Sequence, residues 1–259
     1  MTSPGTTPAA GTGLVFRPEN RPEALRRLVV DADAAGIEEL WLWEDCFLEG
    51  GLTSAAAALA WTERIRVGIG LLPVPLRNPA VTAMEIATLV RMFPSRFMPV
   101  LGHGVQDWMR QVGAGVDSPL TLLREHVTAV QALLRGETVT VHGTYVSLDA
   151  VTLDWVPSRP PPLLVGARGP RTIELAAELA DGVLLDAVAD AAAVRAARAI
   201  LGPAKQLTVY TEVTPGISGA GLDDRVAELA AAGADTVVVQ GTAQDTGEAA
   251  LIAALTSGR

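Results

Sequence analysis

Short apolar runs recur along this chain, each followed by a stretch whose apolar residues fall at helical spacing. The first run is Gly13 to Phe16. After it, Leu25, Leu28, Val29 and Ala32 mark one face of a helix, with Asn20 near its cap, Pro22 in its first turn and Gly36 past its end. A second strand is expected over Glu39 to Trp43, a helix over Thr53 to Trp61, and a third strand over Ile65 to Leu72. Asn78-Pro79, a capping residue followed by a first-turn proline, opens a helix that must stop before Pro94. The fourth strand is expected over Arg96 to Leu101, and Ser118-Pro119 opens a helix reaching Arg135. Leu163 to Val165 and Val183 to Leu185 are the fifth and sixth strands, flanking a helix with apolar positions at Ile173, Ala176, Ala177 and Ala180. Leu207 to Val213 is the seventh. A helix over Leu222 to Ala232, a strand over Thr236 to Val239 and a helix over Thr246 to Leu255 follow. No boundaries are assigned to a helix between the sixth and seventh strands.

The pattern is eight strand-helix units, and the helix-to-strand junctions echo one another: Ala34-Ala35-Gly36-Ile37, Leu179-Ala180-Asp181-Gly182 and Ala232-Gly233-Ala234-Asp235. Eight such units in 259 residues predict an α/β fold of the (β/α)8 (TIM barrel) type rather than a doubly wound open sheet. One segment breaks the alternation. Residues 138–162 hold two alternating runs around His142-Gly143 and then the prolines Pro157 and Pro160 to Pro162, which predicts a β-hairpin insertion with an extended return before the fifth strand. Residues 1–12 are rich in Thr, Pro, Gly and Ala and are expected to be a disordered tail, leaving 13–259 as a single barrel domain.

Composition narrows the function classes. Hydrophobic residues make up 49% of the chain, enough for a large core. The net charge of −9 argues against a nucleic-acid partner. No apolar run is long enough to span a membrane. The single cysteine, Cys46, excludes a disulfide framework and reads as a packed small hydrophobe in a reducing, cytoplasmic protein. A metal site is not expected, because only one of the three histidines falls at a strand tip. A homodimer is compatible with all of this.

In a barrel of this type the active site gathers at the carboxyl-terminal ends of the strands. Those ends carry Arg17; Trp43, Glu44 and Asp45; Pro73 to Arg77; Gly102 to Trp108; Gly166 to Arg171; Asp186; Thr211 and Glu212; and Gln240 to Thr242. The Gly166-Ala167-Arg168-Gly169-Pro170-Arg171 loop feeds a helix start, where free N–H groups, the helix dipole and two arginines make a phosphate cradle. An ordinary strand-to-helix turn with solvated arginines has the same pattern. His103, between two glycines, and Asp107 are candidates for general acid-base work, as are Glu44 and Asp45. Helix capping or a solvated loop would equally explain Glu44 and Asp45. His126 is expected inside a helix and His142 in the hairpin turn, without a catalytic role.

Four stretches carry a resemblance. I-R-V-G-I-G-L-L-P-V-P-L-R-N-P-A (from Ile65), P-V-L-G-H-G-V (from Pro99), G-A-R-G-P-R-T-I-E-L-A-A-E-L-A-D-G (from Gly166) and E-E-L-W-L-W-E-D (from Glu38) resemble, in order and spacing, the bacterial-luciferase-like flavin and deazaflavin oxidoreductases. The resemblance implies a barrel holding FMN or coenzyme F420 at its mouth, and phosphate contacts at Gly166, Ala167, Arg168, Gly169, Pro170 and Arg171. It also implies a bulged, non-prolyl cis peptide near Gly70-Leu71 against the cofactor ring, and a backbone approach at Gly102 and Gly104. Three departures stand out: Glu44-Asp45 where many deazaflavin members have Asp-His, Phe93-Pro94-Ser95-Arg96 where members often have Ser-Gly-Gly-Arg, and no long insertion around the seventh strand. Three readings follow: an F420-dependent oxidoreductase acting on a small organic substrate, an FMN-dependent monooxygenase, or a non-catalytic flavin-binding barrel. The phosphate-loop sequence is closer to the deazaflavin members and favours the first.

Overall fold

The computed structural model describes residues 10–214 and 216–257. In chain order the elements are β1 (Gly11–Phe16), α1 (Leu25–Ala34), β2 (Glu39–Leu42), α2 (Gly51–Ala60), β3 (Arg66–Pro73), α3 (Pro79–Met92), β4 (Phe97–Gly102), α4 (Gln106–Gln111), α5 (Pro119–Leu134), β5 (Val139–His142), β6 (Ser147–Val151), β7 (Leu164–Ala167), α6 (Pro170–Leu179), β8 (Gly182–Val188), α7 (Ala191–Leu201), β9 (Gln206–Glu212), α8 (Gly219–Ala231), β10 (Thr236–Gln240) and α9 (Glu248–Thr256). Eight parallel strands close in the order β1-β10-β9-β8-β7-β4-β3-β2, and β5 and β6 form a separate antiparallel ladder. This is the (β/α)8 barrel with a hairpin inserted before its fifth strand.

Alternation along each strand sends one set of side chains inward and the other toward the helices. The inward set includes Val15, Trp41, Val100, Leu164, Leu184, Tyr210 and Val238. The outward set merges with the helices into one continuous apolar layer. Both are needed: a strand buried on both faces reads as an unbroken apolar run, as Val237 to Val239 does.

The echoing junctions have a common task. Asp181 Oδ2 accepts from Leu163 N at 2.8 Å, Asp235 Oδ2 from Leu207 N at 2.7 Å, and Asp33 Oδ1 from Ile65 N at 2.8 Å. Each carboxylate satisfies a backbone donor at the start of a neighbouring strand, which would otherwise be left unpaired at the barrel rim. Arg96 does similar work: its guanidinium donates to the carbonyls of Ile65, Leu59 and Thr62 and to Thr62 Oγ1.

Several boundaries differ from expectation. Gly11 and Thr12, assigned to the tail, belong to β1, where they pair with Thr236 and Val237; residues 1–9 lie outside the described residues. The helix after Pro22 opens as a 3-10 turn, Pro22–Ala24. Two helices went unassigned. α7 starts at an Asp190 cap and ends at Gly202, with Val194, Ala197 and Leu201 on its buried face. α4 lies between β4 and α5, in a segment taken for a loop, and carries Asp107 in its first turn. Among the described residues no helix is long and apolar enough to cross a membrane.

Candidate functional site

A cavity of about 550 Å³ opens at the carboxyl-terminal end of the barrel. Its floor comes from β3. The ladder between β3 and β4 slips between Ile69 and Leu72, and the Gly70–Leu71 peptide there is cis and non-prolyl, as the resemblance implied. A second cis peptide joins Cys46 and Phe47 after β2. The bulge turns Leu71 inward, and glycines on the adjacent strands make room for it. A Cβ at Gly166 would lie 2.3 Å from Leu71 Cδ2, and one at Gly102 2.4 Å from the same atom. A Cβ at Gly70 would lie 2.2 Å from the Tyr210 hydroxyl oxygen. Gly102 and Gly166 were expected to bring backbone close to a ligand. They clear space for the Leu71 side chain, which becomes the cavity floor, and Gly166 itself lines the cavity.

The walls are aromatic. Trp43 lies 5.7 Å from Tyr210 between ring centroids, and Arg17 sits 5.1 Å over the Trp43 ring. Tyr210 donates to the Gly70 carbonyl at 3.2 Å, and burial pushes its phenol well above the usual range, so it stays protonated. Trp108, the first-turn residue Thr172 of α6 and the barrel residue Asp186 also line the cavity.

The candidate site residues divide. His103 lines the cavity, and its Nε2 is 3.1 Å from Thr172 Oγ1. Burial lowers its pKa, so the imidazole is neutral near neutral pH. Asp45 lines the cavity and makes no ion pair or side-chain hydrogen bond among the described residues. Burial raises its pKa, with the Glu19 carboxylate adding to the shift and Arg168 and Arg17 opposing it. Glu44 also borders the cavity, but its carboxylate is engaged: it accepts from Gly51 N at 2.8 Å, at the start of α2, and from Arg77 at 2.5 and 2.6 Å. The helix-capping alternative therefore describes Glu44. Asp107 is not among the lining residues. Its side chain is 80% exposed and pairs with Arg110 one turn along α4. The unforeseen helix explains this, because α4 fixes the direction of residue 107 toward solvent.

The loop after β7 divides in the same way. Gly166, Arg168 and Gly169 line the cavity, while Ala167, Pro170 and Arg171 do not. Ala167 faces the helix layer. Arg168 is 65% exposed and bends to Asp186, with Nε 3.0 Å from Oδ1. A Cβ at Gly169, the cap of α6, would meet nothing within 4 Å, so the helix start is open. Gly104 lines the cavity in the left-handed region at φ 67°.

Tyr210 and Thr172 were missed as site residues. Tyr210 was legible only through the inward register of β9, and Thr172 only through its place one turn past the glycine loop. His126 is fully buried in α5, where burial and the nearby Arg77 depress its pKa to about 4, and His142 is exposed in the hairpin. Among the described residues no cluster of three or more His, Cys, Asp or Glu could hold a metal ion.

Residues 2–205 match the family model described as luciferase-like monooxygenase. The chain belongs to this family. It is 30% identical over 176 residues to a 5,10-methylenetetrahydromethanopterin reductase from Methanolobus tindarius, covering 68% of this chain and 53% of the relative. It is 34% identical over 180 residues to an F420-dependent glucose-6-phosphate dehydrogenase from Beutenbergia cavernae, covering 63% and 52%. The matches thus span about half the length of these curated relatives. Among solved structures, the coenzyme F420-dependent tetrahydromethanopterin reductase from Methanopyrus kandleri superposes with a TM-score of 0.80 at 18% identity, covering 95% of this chain and 97% of that one. A monooxygenase from Streptomyces bottropensis gives 0.75 at 20%, covering 95% and 98%. At those identities the likeness is one of fold.

Proposed function

We propose that this chain is an F420-dependent oxidoreductase that transfers a hydride to or from a small organic substrate at the mouth of the barrel. The observation that carries the reading is a pair of buried ring nitrogens at the cavity wall with poorly placed partners. Trp43 Nε1 faces the Tyr210 hydroxyl and His103 Nδ1 the Pro119 backbone, neither within the geometry of a normal hydrogen bond, and both residues line the cavity. A planar, polar ring system above Leu71 would give each a better partner. The deazaflavin, when bound, supplies a hydride-accepting and hydride-donating carbon.

The residues have distinct tasks. Leu71 and the Gly70 peptide form an apolar floor. Trp43, Trp108 and Pro119 keep water from the reacting carbon. The open α6 start, with Arg168 and Arg171, holds the cofactor phosphate. His103 and Asp45 carry the proton that accompanies hydride transfer. Burial lowers the first and raises the second, so their working ranges approach each other from opposite sides. The choice of F420 over FMN rests on relatives whose names state that dependence.

Titration of the pure protein with F420 and with FMN, followed by fluorescence, tests the reading. F420 should bind more tightly. Submicromolar FMN binding with no F420 signal would instead support the monooxygenase reading. F420 binding without turnover on any alcohol, aldehyde or imine would support the non-catalytic one.

A further inference from the structure

The larger cavity lies at the other end of the barrel. It measures about 690 Å³, within the range of small-molecule sites. The hairpin insertion creates it. β7 begins only at Leu164 and pairs with β4 through Val100 and Leu101 alone, so Phe97, Met98 and Pro99 have no β7 partner. The chain that reaches β7 is Pro160-Pro161-Pro162, which has no backbone donors with which to extend the ladder. Beneath the gap, Trp41, Val100 and Leu164, each no more than 4% exposed, close off the barrel interior.

Two kinds of group line the opening. The floor is apolar: Trp41, Met98, Val100 and Leu164. The rim carries three arginines. Arg66 is bound to the buried Glu39 at 2.7 Å. Arg91 is held in place by the Val156 carbonyl at 2.9 Å and by the exposed Trp155 ring, 5.0 Å from its guanidinium carbon. Arg159 is exposed and has no ion pair or hydrogen bond among the described residues. Among the described residues no carboxylate lines the cavity. Glu39, beneath it, is already shared between Arg66 and the Trp41 indole N–H. In a chain of net charge −9, an apolar chamber with a purely cationic rim is complementary to one kind of ligand.

We propose that this chamber is a second binding site, for a small molecule with an apolar ring body and one anionic group. The ring lies over Met98 and against the proline return, and the anion is taken by Arg159 and Arg91. A guanidinium fork matches a planar carboxylate through two parallel N–H donors. The site is at the opposite end of the barrel from the mouth, so occupancy leaves the mouth free.

Two methionines report separately on the two ends. Met98 lines the chamber, and Met109 lies beneath the mouth, where its methyl is 3.1 Å from the point a Gly104 Cβ would occupy. Methyl-labelled protein would be titrated with naphthalene-2-carboxylate, with Met98→Leu and Met109→Leu identifying the two signals. The Met98 signal should shift saturably while Met109 stays still. Naphthalene-2-carboxamide should bind roughly tenfold more weakly, and Arg91→Gln/Arg159→Gln should cost the carboxylate a similar factor without changing carboxamide affinity. The methyl spectrum of that double variant also reports that it folds. The proposal is overturned if Met98 does not move at millimolar ligand, if only Met109 moves, or if carboxylate and carboxamide bind alike.

Discussion

The inward positions of β3, β4 and β7 change size along the barrel axis. At the carboxyl-terminal end they are Gly70, Gly102 and Gly166; at the amino-terminal end they are Arg66, Met98 and Leu164. Between them Trp41 lies across Gly68, whose Cβ would be 2.6 Å from the indole. One end thus spends small residues on a floor built by a single leucine and leaves two ring nitrogens poorly paired above it. The other end uses long side chains, pairs Glu39 and Arg96 within the fold, and leaves the rim residue Arg159 without a partner among the described residues. Poorly paired polar groups beside open space mark a place for a ligand, whereas satisfied ones such as Glu39 and Arg96 hold the strands together. His103 and His126 repeat the contrast. Burial lowers the pKa of both, but one borders the mouth and the other is sealed in α5.

The sealed histidine gives the largest expected effect. Its pKa falls from 6.5 to about 4 on folding. A base with a depressed folded pKa leaves the native state with fewer bound protons than the unfolded chain. Stability is therefore full above about 6.5 and declines as the pH falls toward 4. The loss is on the order of 3 kcal/mol at about 1.4 kcal/mol per pKa unit. Urea unfolding at a series of pH values should show that decline in the natural protein and a flatter curve in His126→Leu. Parallel curves would mean that His126 is relieved by a partner.

His103→Ala should lower turnover by roughly 10²-fold with cofactor affinity little changed, as expected for a group that moves a proton. Asp45→Asn should move the pH profile of the remaining activity. If His103→Ala weakens F420 binding instead and spares turnover, the imidazole only positions the ring.

Gly70→Ala should destabilise by about 1–3 kcal/mol, since Tyr210 and Leu184 cannot both yield to a new methyl group. Gly169→Ala, with open space around it, should cost much less. Denaturant midpoints for the pair would measure the difference, and equal costs would mean that the glycine floor is not tightly packed.

The fold was legible because its signals are local and repeated: apolar runs, Pro at helix starts, and the junction aspartates. The site was legible only as a set of strand tips. Residues taken from motifs divided according to local structure that pattern alone does not carry. Glu44 turned to α2 and Arg77. Gly102 and Gly166 make room for Leu71, a task that no motif states. Tyr210, deep in an apolar strand, has no motif. α7 was in fact legible: its Asp190 cap and the helical spacing of Val194, Ala197 and Leu201 are in the sequence.

Asp107 is the smallest expected effect and tests the contrast most narrowly. It follows the strand-four glycines closely enough to pass for a mouth residue. Yet α4 begins at Gln106, and the first turn of a helix commits each side chain to a direction. At residue 107 that direction is solvent, with Arg110 as a surface partner. Exposed pairs of this kind contribute roughly 0–1 kcal/mol. Asp107→Asn should therefore leave turnover and F420 affinity within about twofold of the natural protein. A hundredfold fall in turnover would require α4 to rotate its first turn into the mouth when the substrate binds. The wall formed by Gln106 and Trp108 would then be a moving part rather than a fixed one.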